Sequence, residues 1–181
     1  MRIPYIVKLI LPLQATPQRD GAGSILSATL KAMVRIRTSH LHAAPYSLAH
    51  GTALGRAAGV TEDQLAALAT GDYPDSSHFS RQERAALAWV EQVAPNTAKR
   101  RDDVFEGLRA QFSDAEIVEL TGLCSLSSQI DLIQNALCVP LETDGEIERM
   151  NRSPRLDPRR LKDYLEHLLA DWPGEFPPTA H

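Results

Sequence analysis

Cysteine is nearly missing from this chain: two occur in 181 residues, Cys124 and Cys138. They fall in one helical pattern, roughly 21 Å apart at the helical rise, so no disulfide is expected between them, and both read as core residues. No Cys-x-x-Cys pair exists, which removes the dithiol redox motifs. Strand-type alternation is essentially absent, and no run approaches the roughly 18 apolar residues of a membrane span. Neither sign of charge prevails. A formal net charge of -4 and a pI near 5.8 give no general attraction to nucleic acid or to an anionic membrane. The N-terminal apolar run is broken by Lys8, flanked by Pro4 and Pro12, and followed by no clear small-residue cleavage site, so it is not read as a signal peptide. A cytoplasmic protein with a small-molecule partner is the expectation.

What remains is helical. Hydrophobic residues make up 43% and charged residues 23%, as in an ordinary globular domain. From Gly23 to Arg37 the sequence GSILSATLKAMVRIR sets Ile25, Leu26, Leu30, Met33 and Val34 near one face, with Ser24 as N-cap. A second helix opens at Pro45, where proline suits the first turn, and stops at Gly59. Thr61 with Gln64, Ser80 with Glu83, and Ser113 with Glu116 form capping boxes before three further helices, the last running to Pro140. The reading is all-α: an N-terminal arm over 1–22, a helical domain over 23–142, and a tail over 143–181.

The tail differs in texture. Acidic residues from Glu142 to Glu148 precede Arg149, Arg152, Arg155, Arg159 and Arg160. The adjacent acids favour a solvated tail, or a strap over a neighbouring subunit, above an anion-binding arm. One helix is expected there, with Asp157 as N-cap and Pro158 at N1. Leu161, Tyr164, Leu165 and Leu168 share one of its faces.

Residues 39–59, SHLHAAPYSLAHGTALGRAAG, concentrate three histidines, a tyrosine and two serines with no cysteine, aspartate or glutamate among them. His40 and His42 form an H-x-H element with His50 downstream. Zinc pairs of that kind commonly sit on strands, so no metal is assigned. Ser47 and His50 are an i, i+3 pair, but no orienting third group or nucleophile elbow is visible.

The pieces HGTALGRAAGVTEDQLAAL, FSRQERAALAWVEQV and VFEGLRAQFSDAEIVELTGLCSLSSQIDLIQNALCVPLE, in this order over residues 25–142, resemble the carboxymuconolactone decarboxylase superfamily, which shares the all-α fold of alkylhydroperoxidase D (AhpD). The resemblance implies an AhpD-like bundle with a C-terminal extension. It also implies a homotrimer, or a hexamer built as a trimer of dimers. In peroxidase members a Cys-x-x-Cys pair precedes the histidine, which lies four residues after the second cysteine. Counted back from His50, those places hold Ala43 and Tyr46, or Ala44 and Ser47 with one gap. The relay glutamate of that pattern falls near Lys31. Thiol peroxidase chemistry therefore lacks its nucleophile.

The other branch of the resemblance implies cofactor-free decarboxylation or rearrangement of a small carboxylated lactone, keto acid or related ring compound. Such chemistry must hold a carboxylate, stabilise an enolate oxygen and return a proton to carbon. On this reading His50 is the acid/base group, and Tyr46, one turn earlier, donates to the oxyanion. Arg35 and Arg37 clamp the substrate carboxylate, while His42 and Ser47 line the site. Asp131 and Gln134 are expected to support His50. The alternative is a catalytically silent member that binds a ligand or only builds an oligomer.

Overall fold

The helix that organises this chain has every side covered. In a computed structural model describing residues 8, 10, 17–21 and 23–175, eight α-helices and one 3-10 turn follow one another: α1 (Ala28–Leu41), α2 (Pro45–Ala57), α3 (Glu62–Thr70), α4 (Arg81–Val93), the turn Ala98–Arg100, α5 (Asp102–Arg109), α6 (Asp114–Ala136), α7 (Asp144–Asn151) and α8 (Pro158–Ala170). No strand occurs among the described residues beyond an isolated parallel bridge between Asp20 and Arg155. No helix among them is long and apolar enough to cross a membrane. The expected arm over 1–22 lies largely outside the described residues.

α1 packs on α2, α3, α4 and α6. Val34 and Leu30 face Trp89, Val90, Leu120 and Leu123, whereas Met33 and Ile36 face Val60, Leu65, Leu68 and Leu87. Its third side is polar and equally buried: Lys31, Arg35, Thr38 and Ser39. A helix apolar on one face was expected. The structure shows burial all round, which explains its weak periodicity. Two further details depart from the sequence reading. Ile25 is exposed, and the N-cap is Ser27, whose hydroxyl accepts from the Leu30 amide, because Ser24 instead donates to Glu119 at 2.6 Å. α2 approaches α1 closely through Gly55, where a Cβ would lie 2.9 Å from Ile36 Cδ1.

The three expected capping boxes are present, and Thr143 with Glu146 makes a fourth at the start of α7. The tail therefore carries two helices rather than one. Asp157 caps α8 as expected. Five helices end alike, with an amide bonding the carbonyl five residues back across a left-handed residue. Glycine holds that place at Gly59 and Gly71, asparagine at Asn96. Ala43 and Cys138 hold it with φ of 48° each, at a cost of about 1 kcal/mol per residue. These two strained ends are tied together where Asn135 Nδ2 donates to the His42 carbonyl at 3.1 Å. Cys138 thus lies exposed beyond α6, whereas Cys124 is buried. Only one of the two thiols is a core residue.

Candidate functional site

Polar residues recur along α1 and its C-cap at 31, 35, 39 and 42, and along α6 at 127, 128, 131 and 134, so each helix carries a polar stripe, and these meet one another and Ser47 of α2. The seam is knitted by side chains. Ser47 donates to Gln134 Oε1 at 2.6 Å, Ser39 to Asp131 Oδ1 at 3.3 Å, and His42 Nε2 lies 3.0 Å from Ser128 Oγ. Asp131 Oδ2 and Ser127 Oγ are buried and find no hydrogen-bond partner among the described residues. Burial pushes the Asp131 carboxyl up, with Ser47, His42, Arg35 and Ser39 drawing it back. Arg35 bonds Gln18 Oε1. Its own burial pushes it down to about 10, against the pull of Asp131.

At the end of this seam stands His50, 8% exposed. Asn151 Nδ2 lies 2.9 Å from His50 Nδ1 and 2.8 Å from the Ile147 carbonyl. A carbonyl only accepts, so the amide nitrogen is assigned there, and its second hydrogen points at Nδ1. That makes Nδ1 the acceptor and places the imidazole hydrogen on Nε2, 3.0 Å from Glu142 Oε2. Tyr46 donates to the other oxygen, Glu142 Oε1, at 2.8 Å, and its ring stacks on His50 with centroids 4.5 Å apart. One carboxylate thus gathers a phenol and an imidazole. Hydrogen bonds from His50 first, then Tyr46, hold Glu142 below its ordinary value. Desolvation, followed by the bond to Glu142, raises Tyr46, so the phenol stays a donor at neutral pH.

Of the residues singled out in the sequence, the structure brings His50 and Tyr46 together directly. It places Ser47, His42 and Arg35 along the adjoining seam. Arg37 lies elsewhere: it binds Glu91 Oε1 and the Leu68 carbonyl and sits over Tyr73. Asp131 and Gln134 partner Ser39 and Ser47, not His50. The partners of His50, Glu142 and Asn151, were missed. A carboxylate does stand at this site, contrary to the acid-free scheme, and it comes from beyond α6. No cluster of three metal-binding side chains occurs among the described residues. The Cys124 thiol, pushed up by burial, contacts Thr38. Two surface grooves, of about 610 and 420 Å³, are lined by other residues than His50.

Residues 13–92 match the carboxymuconolactone decarboxylase family. The match takes in Tyr46 and His50 but ends before Glu142 and Asn151. No curated protein matches the chain. A crystal structure of an Agrobacterium tumefaciens protein of unknown function, described as a candidate antioxidant-defence AhpD, superposes with a TM-score of 0.61. It is 23% identical and covers 76% of this chain and 89% of its own. At that identity the likeness is one of fold.

Proposed function

We propose that this chain, whose residues 13–92 match the carboxymuconolactone decarboxylase family, is a cofactor-independent lyase or isomerase acting on a small carboxylated lactone, keto acid or related ring compound. The observation that carries this reading is the Glu142 carboxylate shared by Tyr46 and His50. Loss of carbon dioxide, or of a proton beside a carbonyl, leaves an electron pair that moves onto oxygen as an enolate. The Tyr46 phenol supplies a hydrogen bond to that oxygen by turning its one hydrogen away from Glu142 Oε1. Glu142 and His50 act as one acid/base pair: the carboxylate takes a proton from substrate or solvent and returns it to carbon. Asn151 fixes the imidazole tautomer that donates to the carboxylate. Arg35, behind the seam, supplies positive charge towards the substrate carboxylate.

A second reading, a catalytically silent member, is favoured by one observation: both His50 ring nitrogens are already engaged. Carbon dioxide release and solvent-deuterium uptake, followed over a panel of carboxylated lactones and β-keto acids, separate the two. Wild-type turnover that falls about a hundredfold or more in His50→Ala supports the enzyme. Neither release nor exchange above background, in wild type and variant alike, supports the silent member.

We also propose self-association, as a trimer or a hexamer. Leu132, Ile133, Leu137 and Leu141 lie exposed at and beyond the end of α6, and Leu165 and Leu169 on α8. A patch of this kind is a frequent interaction surface. Because α7 belongs to the His50 site, the strap is assigned to α8 alone. Light scattering should give a multiple of the chain mass that falls in Leu137→Glu and Leu169→Glu; a wild-type protein of single-chain mass would remove the proposal.

A further inference from the structure

The arginines of the tail are not scattered over solvent. Arg149, Arg152, Arg155 and Arg160 meet Arg19, from the other end of the chain, around the groove of about 610 Å³. The acidic side chain in its lining is Asp157, which lies 3.8 Å from Arg160. No carboxylate pairs with Arg149, Arg152 or Arg155 among the described residues. Five guanidinium groups crowded together in a chain of net charge -4 repel one another, and nothing about the overall charge calls for them.

The groove is also built firmly. The Asp20 amide donates to the Pro154 carbonyl at 2.9 Å, and the Leu156 amide to the Asp20 carbonyl at 2.8 Å. Arg19 Nε donates to the Ser153 carbonyl at 3.2 Å, and among the described residues the two terminal nitrogens of Arg19 are left for another partner. Its own carbonyl is anchored from below by Lys31 Nζ at 2.7 Å. Gly21, with φ of 109°, lets the two segments close, since a Cβ there would stand 3.0 Å from the Leu156 carbonyl oxygen.

We infer that this groove binds a soluble small molecule bearing a pyrophosphate or triphosphate group. Planar guanidinium forks match phosphate oxygens two at a time, and several around one cavity suit several linked phosphates. The volume is that of a small-molecule site. Its lining shares no residue with the Tyr46–Glu142–His50 network, although Met150 and Arg152 flank Asn151, and the inference stands whether or not that network is catalytic.

The experiment is calorimetric titration of the full chain with sodium tripolyphosphate at fixed ionic strength, repeated with a nucleoside triphosphate and its nucleoside. Saturable one-to-one binding is expected for both phosphorylated probes and not for the nucleoside. Arg152→Glu and Arg155→Glu should each weaken it at least tenfold. Arg159→Glu makes the same charge change outside the groove lining and should weaken it less than threefold. Circular dichroism checks that all variants keep their helices. No saturable binding, or equal weakening by Arg159→Glu, overturns the inference. So does a single-stranded oligonucleotide that displaces tripolyphosphate and binds several chains, since the groove would then belong to a nucleic-acid surface.

Discussion

Replacing Glu142 with glutamine is expected to lower turnover of any substrate found for this chain by about a hundredfold or more, the usual range for losing a proton-transferring group. The amide keeps the size and can still accept from Tyr46 or His50, but it cannot take up a proton. The effect should therefore appear in kcat more than in KM. The pH profile gives a second readout. Because hydrogen bonds from His50 and Tyr46 lower Glu142 in the folded protein, the wild-type acid limb should lie below about 4.3, the ordinary glutamate value, and should vanish in Glu142→Gln. The same shift has a sign for stability: a depressed carboxyl contributes fully above its unfolded value, and the contribution fades as pH falls through the folded one. The variant should lose less stability on acidification than wild type. An unchanged kcat would leave Glu142 a structural partner of His50 and favour the silent reading.

Lys31→Ala is expected to cost about 2–4 kcal/mol in denaturant unfolding, from a lost charged hydrogen bond and a cavity. Lys31 is 0% exposed. It donates to the Arg19 carbonyl and to Ser24 Oγ, with Asp20 Oδ1 3.6 Å away. Burial pushes its ammonium down, while Asp20 and Glu119 draw it up. Lys31→Met separates volume from charge. It fills the space but leaves the Arg19 carbonyl without its donor, so an intermediate loss is expected. A methionine variant as stable as wild type would make the lysine a space-filler and deny it the role of anchoring Arg19, Asp20 and Ser24.

How much of this was legible in the sequence follows from distance along the chain. The capping boxes of α3, α4 and α6 were readable because each is settled within four residues. Thr143 and Glu146 carry the same signature before α7, so that helix was readable too, had the acidic and arginine-rich texture not directed attention to charge. Tyr46 and His50 share one helix face, and their pairing followed from helical spacing. Their partners did not: Glu142 and Asn151 reach His50 across 92 and 101 residues, and no local pattern encodes such a meeting. Arg37 failed differently. Two positions from Arg35 on a helix, it necessarily faces another way, towards Glu91.

The Asn151–His50 bond gives the site a stability of its own, distinct from that of the fold. α7 is eight residues long and packs mainly on α2, while the apolar clusters that carry the global free energy lie among α1, α3, α4, α5 and α6. Undocking α7 about the segment 153–156, which residues 19 and 20 hold in place, exposes little apolar surface beyond Ile147 and leaves those clusters whole, which makes it a local opening of lower energy than global unfolding. In the undocked fraction His50 loses the donor that fixes its tautomer, and the imidazole is free to move its proton to Nδ1. Amide exchange in α7 should accordingly run ahead of exchange in α1. The tautomer of His50 becomes a population, set by how often a short helix about a hundred residues further along the chain is in place.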